Sequence, residues 1–150
     1  MTPAQIEAAA ARLFAAEDTG QQCGLLSVAH PEMTLDDAYA VQSALVAMKK
    51  ATGRNVIGWK IGLTSRAMQK ALNIETPDSG VLLDDMLFET GDVVPQGRFI
   101  QPRIEAEIAF VMKHDLRGAN VTRADVVAAT DYVVASLEVL DTRILRADPA

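Results

Sequence analysis

Two glutamates separated by one residue are the part of this sequence whose residue types and spacing most directly suggest chemistry. In residues 103–111 (RIEAEIAFV), apolar and charged residues alternate, which is the period-two pattern of a β-strand. Glu105 and Glu107 therefore project from the same face of that strand, roughly 7 Å apart along it. Two carboxylates this close repel each other unless a proton or a cation lies between them.

A third glutamate, Glu138, lies in another mostly apolar segment, residues 133–140 (VVASLEVL). A carboxylate is costly to bury without a partner. If the two segments are neighbouring strands, three carboxylates converge and form a site for a hard cation. Spacing alone leaves a second interpretation open. In it, Glu105 and Glu107 form the solvent-facing side of an antiparallel strand with Arg103 as a cross-strand partner, and Glu138 also faces water.

A lysine between two glycines is the next candidate. Residues 56–63 (VIGWKIGL) also alternate, with large apolar side chains on one face and Gly58, Lys60 and Gly62 on the other. Glycines within a strand often mark the close approach of a ligand or of another backbone. The alternative is an exposed lysine on a weakly packed edge strand.

A short segment rich in turn-forming residues follows at residues 77–80 (PDSG). Asp and Ser side chains bond to nearby backbone groups, so the segment predicts a turn. A loop that carries Asp78 and Ser79 just before the apolar residues 81–83 can equally line a binding site.

Composition limits the class of protein and its partners. The chain has 150 residues, 49% of them hydrophobic and 23% charged, which is typical of one globular domain. A net charge of −6 argues against a nucleic-acid partner. The single cysteine, Cys23, excludes an internal disulfide and multi-cysteine metal sites. No apolar segment approaches the roughly 20 residues of a membrane helix, and no signal peptide is visible. We therefore expect a cytoplasmic protein without a membrane partner.

Threonines mark the predicted starts of three helices. Thr2 is followed three residues later by Gln5, whose side chain can reach back to the backbone of the cap. Thr34 and Thr122 cap the other two helices, with Asp37 and Asp125 in their first turns. A fourth, short helix is predicted after Thr64 or Ser65.

The last predicted strand lies close to the final residue, so a β-rich core has to close on another chain or on further sequence.

Four motifs, in order, resemble the hydratase and decarboxylase branch of the fumarylacetoacetate hydrolase family. They are GWKIGLTS at 58–65, PDSGVL at 77–82, QPRIEAEIAF at 101–110 and LEVLDTR at 137–143. The resemblance covers essentially the whole chain. It implies an α+β fold, with an N-terminal helical region at residues 1–55 followed by a mixed β-roll. Residues 56–150 would be the first part of the metal-binding catalytic domain, incomplete at its C-terminus.

The same resemblance implies the site. Glu105, Glu107 and Glu138 take the positions of the ligands of a Mg²⁺ or Mn²⁺ ion. The other implied positions are the catalytic residues Lys60 and Asp78 and the substrate-binding residues Ser79 and Leu82.

The implied activity is that of a metal-dependent hydratase, a carbon–oxygen lyase that adds water to a small 2-oxo- or 2-hydroxy-alkenedioate in aromatic-compound degradation. A homo-oligomer is expected. The first alternative is a decarboxylase acting on 2-oxo-3-hexenedioate. A hydrolase of carbon–carbon bonds would need a histidine base, and His30 and His114 lie in turn-like segments. The last alternative is a truncated chain that is not an enzyme and acts only in binding or assembly.

Overall fold

The computed structural model of the chain describes residues 1–145 and divides into two compact units. The first unit contains Met1–Ile100 together with the segment that starts at Arg143, and the second contains Gln101–Thr142. The α-helices and β-strands, in chain order, are α1 (Pro3–Thr19), α2 (Leu26–Ala29), α3 (Leu35–Ala51), β1 (Val56–Gly62), α4 (Arg66–Leu72), β2 (Asp78–Leu83), β3 (Arg103–Met112), α5 (Arg123–Ala129) and β4 (Thr130–Leu140), and a short 3₁₀ helix at Asp84–Met86 follows β2. This mixture of helices and strands confirms the α+β class. The predicted domain boundary at residue 56 stays a prediction.

Three helices begin where the threonine pattern predicts. Thr2, Thr34 and Thr122 immediately precede α1, α3 and α5, and each forms a reciprocal capping box with the residue three positions on. Each box satisfies two backbone N–H groups locally, so these starts depend little on tertiary packing. The short helix α4 follows Ser65 as predicted, although the Ser65 side chain makes no capping hydrogen bond.

The core of the first unit lies between α1 and α3. Its buried cluster consists of Ala9 and Ala10 from α1, Val41 from α3 and Leu26 from the short helix α2. The alanines have short side chains, which allow larger neighbours to pack against α1. The partly buried residues around this cluster are Met1, Ile6, Leu13, Met33, Ala44, Leu45 and Met48.

A network of charged side chains joins distant segments within this unit. Lys49 Nζ lies 2.7 and 2.6 Å from the two carboxylate oxygens of Glu17, and Arg143 Nε donates to the same carboxylate at 2.7 Å. Burial raises the pKa of Glu17, but Lys49 and Arg143 outweigh it and hold that pKa below its usual value. The network ties α1 to α3 and to the segment that follows β4 in the sequence.

The strands β1 and β2 form an antiparallel pair in which Lys60 is opposite Gly80 and Gly62 is opposite Asp78. The predicted turn at residues 77–80 is therefore wrong, because β2 already begins at Asp78. Pairing with β1 overrides the local turn preference of these residues, as tertiary context often does.

The second unit is an antiparallel ribbon of β3 and β4, connected through α5. One face of the ribbon is apolar, and several of its side chains are more than half exposed, among them Ile108 and Leu137. The opposite face carries the three glutamates. None of the helices in residues 1–145 is long and apolar enough to cross a membrane.

The charged network predicts a stability effect that depends on pH. Replacing Glu17, whose side chain is 11% exposed, leaves Lys49 nearly buried at 3% exposure without its carboxylate partner. We expect Glu17→Gln to lower the free energy of unfolding by about 3 kcal/mol at pH 7, measured by urea denaturation. Because the folded-state pKa of Glu17 lies below 4.5, its contribution is present above that pH. The contribution is lost as the pH falls through the folded-state pKa.

The control is Glu7→Gln, which removes a carboxylate from an exposed position of the same helix. Its stability should stay within about 0.5 kcal/mol of the parent. Equal stabilities of the two variants at pH 7 would contradict the structural role of Glu17.

Candidate functional site

Three carboxylates meet on one face of the β3–β4 ribbon. Glu105 lies directly opposite Glu138 in the register, and Glu107 projects from the same face two residues further along β3. One oxygen from each of the three side chains lies within 4.8 Å of the other two. The structure thus brings together all three glutamates that the sequence singled out as possible metal ligands.

The electrostatics of this cluster favour a cation. Like charges directly opposite each other on paired strands destabilise the pair, and here a third carboxylate adds to the repulsion. Among the described residues, Arg103 forms no ion pair with Glu105 or Glu107, so the alternative with Arg103 as their partner is not observed. Three anionic oxygen donors suit a hard divalent ion, which takes six or more oxygen ligands. The cluster can therefore hold such an ion and leave further positions for other ligands.

Hydrogen bonds at both ends of the ribbon support its register. Near the start of β3, the Gln101 N–H donates to Asp141 Oδ1 at 2.8 Å. At the other end, the Lys113 N–H donates to the Ala129 carbonyl at 2.8 Å. A slip of one residue would move Glu138 to the opposite face. The convergence of the glutamates thus depends on this register.

In the first unit, Lys60 and Asp78 form an ion pair across β1 and β2. Lys60 Nζ lies 3.7 Å from Asp78 Oδ1, and the two side chains are 31% and 54% exposed. Glycines surround this pair on the same face of the sheet. A Cβ atom at Gly62 would collide with the Asp78 carboxylate and lie 2.9 Å from Lys60 Nζ, and one at Gly80 would lie 3.1 Å from Lys60 Cγ. Gly62 and Gly80 thus provide the space that the Lys60 side chain and its partner occupy.

The other two predicted site residues lie on different faces of β2. Leu82 is opposite Gly58 and shares the face of Asp78, because side chains alternate along a strand. Ser79 is opposite Ile61, so its side chain points to the other face. The structure brings Leu82, but not the Ser79 side chain, onto the face of the ion pair.

Two residues that the sequence did not identify hold the Ser79 backbone. Tyr39 Oη accepts a hydrogen bond from the Ser79 N–H at 3.2 Å, and Gln42 Nε2 donates to the Ser79 carbonyl at 3.0 Å. Both lie on α3, three residues apart. The sequence placed both in the helix predicted after Thr34, but a polar side chain on a helix does not reveal what it contacts.

Comparisons with known proteins support the resemblance to hydratases and decarboxylases. The chain is 51% identical over 140 residues to 2-oxo-hept-4-ene-1,7-dioate hydratase of Escherichia coli, covering 93% of this chain and 52% of that protein. It is 44% identical over 141 residues to 2-hydroxyhexa-2,4-dienoate hydratase of Comamonas testosteroni, covering 93% of this chain and 53% of that protein. No family model matches the chain.

Solved structures give the same result for the fold. The structure of 4-oxalocrotonate decarboxylase from Pseudomonas putida G7, complexed with magnesium and adipate, superposes with a TM-score of 0.91 at 38% identity. The match covers 99% of this chain and 56% of that one. The same decarboxylase complexed with calcium and acetate matches with a TM-score of 0.89. The resemblance to the hydratase and decarboxylase branch is thereby confirmed, and the chain spans about half the length of the curated relatives it matches.

The glycine surroundings of Lys60 predict a selective effect of Gly62→Ala. The new methyl group would displace the ends of two flexible side chains rather than backbone, so the free energy of unfolding should fall by less than about 1 kcal/mol. The Lys60 side chain should separate from Asp78, and its amine should be acetylated faster by acetic anhydride, because it is no longer held against that carboxylate. Mass spectrometry can measure this as the ratio of Lys60 to Lys50 acetylation.

The matched control is Gly58→Ala, on the same strand and the same face, where a Cβ would meet no atom within 4 Å. Its acetylation ratio should equal that of the parent. An unchanged ratio in Gly62→Ala would contradict the assigned role of the glycine.

Proposed function

We propose that this chain carries the metal-binding and proton-transfer residues of a hydratase. The enzyme would convert 2-oxo-hept-4-ene-1,7-dioate to 4-hydroxy-2-oxoheptanedioate in the degradation of aromatic compounds. The observation that carries the proposal is the convergence of Glu105, Glu107 and Glu138 in a chain 51% identical to a hydratase of that name. Its reaction class would be that of a carbon–oxygen lyase.

The three glutamates would hold Mg²⁺ or Mn²⁺. Their carboxylate oxygens are the donor type that these hard cations prefer, and one solved relative is complexed with magnesium. When bound, such an ion supplies Lewis acidity, which draws electron density away from the 2-oxo group of the substrate. The glutamates of this chain would bind that ion and fix its position.

Lys60 and Asp78 would move the protons. Hydration requires a proton delivered to the carbon chain and a proton removed from the water that adds at C4. The Lys60 ammonium is a proton donor that can also bind a substrate carboxylate, and the Asp78 carboxylate 3.7 Å away is an acceptor. Leu82, on the same face of the sheet, would contact the apolar carbons. The predicted substrate-binding role of Ser79 is not part of this arrangement, because its side chain lies on the other face.

A second candidate is the decarboxylation of 2-oxo-3-hexenedioate. The observation that favours it is the close match to 4-oxalocrotonate decarboxylase, with a TM-score of 0.91. The same carboxylates would serve both reactions, so the candidate metal ligands do not separate them.

The substrate assay separates these two candidates. We would incubate the full chain, loaded with Mg²⁺, with each alkenedioate and follow both the loss of conjugated absorbance and the release of CO₂. Hydration without CO₂ supports the proposed function. Release of CO₂ favours the decarboxylase, and no turnover of either compound together with no Mg²⁺ binding favours a chain that acts only in assembly. The homo-oligomer and the cytoplasmic location stay predictions.

Two substitutions should separate metal binding from proton transfer. Glu107→Gln removes one of three anionic ligands, so we expect Mg²⁺ affinity to fall at least about 10-fold and turnover to be lost. Lys60→Ala should lower kcat by about 10² to 10⁴ and leave Mg²⁺ affinity unchanged. Isothermal titration calorimetry measures the affinity, and the absorbance assay measures kcat.

The charge-matched control is Asp131→Asn, which removes an exposed carboxylate from β4 outside the cluster. It should bind Mg²⁺ like the parent chain. Parental affinity in Glu107→Gln would refute the metal assignment, and parental kcat in Lys60→Ala would remove Lys60 from the mechanism.

A further inference from the structure

Two side chains of α3 satisfy both backbone hydrogen-bonding groups of one residue in β2. Tyr39 accepts from the Ser79 N–H and Gln42 donates to the Ser79 carbonyl, at 3.2 and 3.0 Å. The N–H and C=O of one residue in an antiparallel strand commonly pair with a neighbouring strand. Here a helix takes that role, because residues three apart lie on the same face of a helix.

Ser79 lies between the two residues of β2 that contact Lys60. Asp78 precedes it and carries the carboxylate oxygen 3.7 Å from Lys60 Nζ. Gly80 follows it and faces the Lys60 stem so closely that a Cβ there would lie 3.1 Å from Lys60 Cγ. A shift of the Ser79 backbone therefore moves the Asp78 carboxylate and the Gly80 backbone relative to Lys60 at the same time.

The ion pair itself is too weak to fix this strand. Its 3.7 Å separation joins two side chains that are 31% and 54% exposed, and ion pairs between exposed groups contribute little to stability. The two hydrogen bonds from α3 are shorter and partly buried. They join β2 to a helix that packs against α1 in the core of the unit.

We propose that Tyr39 and Gln42 are positioning residues. They fix the backbone of Ser79 and thereby set the separation between the Asp78 carboxylate and the Lys60 ammonium. Their effect on catalysis rests on the proposed function, whereas their effect on the ion pair does not.

The test is competitive acetylation of the lysines in the full chain with acetic anhydride, read by mass spectrometry. Tyr39→Phe removes only a hydroxyl, and Gln42→Leu replaces the amide with an apolar group of similar size. In each variant, Lys60 acetylation relative to Lys50 should rise about twofold to fivefold, the range that a weak, exposed ion pair allows. It should approach the ratio found in Asp78→Asn.

Ser43→Ala is the matched control. It removes a hydrogen bond to the backbone of the same helix, from Ser43 Oγ to the Tyr39 carbonyl at 2.8 Å, and leaves the contacts of Ser79 intact. Its acetylation ratio should equal that of the parent. An unchanged ratio in both Tyr39→Phe and Gln42→Leu would overturn the proposal. An equally large rise in the acetylation of Lys50 and Lys70 would also overturn it, because it would indicate a general loosening of the structure.

A double-substitution cycle separates positioning from a purely structural role. If Tyr39 acts through Asp78, adding Tyr39→Phe to Asp78→Asn should leave the Lys60 ratio where Asp78→Asn alone puts it. A further rise in the double variant would overturn the proposal.

Kinetics test the catalytic consequence separately. In the hydration assay, Tyr39→Phe should lower kcat about 10-fold at unchanged KM and Mg²⁺ affinity. A parental kcat would overturn the catalytic part. A parent chain without hydratase activity would instead overturn the proposed function, and the acetylation ratios would still decide the positioning role.

Discussion

The mutual repulsion of three carboxylates is the constraint on which the candidate metal centre depends. Glu105 and Glu138 face each other across two paired strands, and Glu107 lies on the same face. Such an arrangement opposes the strand pairing that creates it. The ribbon overcomes the repulsion with backbone pairing along two strands of ten and eleven residues. Because strand pairing holds the three carboxylates together despite their repulsion, the ligand set is already arranged for a cation and needs little reorganisation on binding.

The first unit solves the opposite problem, which is to keep unlike charges at a defined separation. Around Lys60 the sheet has glycines instead of side chains, so the lysine can lie along the surface and reach Asp78. The glycines leave space around Lys60, but they do not hold its side chain in place. The restraint comes from outside the sheet, through the hydrogen bonds that Tyr39 and Gln42 make to β2.

Local patterns were predictable from the sequence, and long-range partners were not. The helix starts at Thr2, Thr34 and Thr122 depend on residues three positions away, and all three are confirmed. The alternation around Glu105 predicted which face of the strand its side chain occupies. Its proximity to Glu138 depended on the two segments being neighbouring strands, and the sequence alone did not show that they are. Residues 77–80 have turn chemistry and form the start of a strand instead, because the pairing partner 60–62 is remote in sequence. The contacts of α3 with β2 could not be predicted for the same reason.

The three glutamates all come from one contiguous segment, Gln101–Thr142, which forms a compact unit of its own. Lys60 and Asp78 belong to a different stretch of the chain. Substitutions around the lysine can therefore leave the acidic segment, and with it the three carboxylates, unchanged.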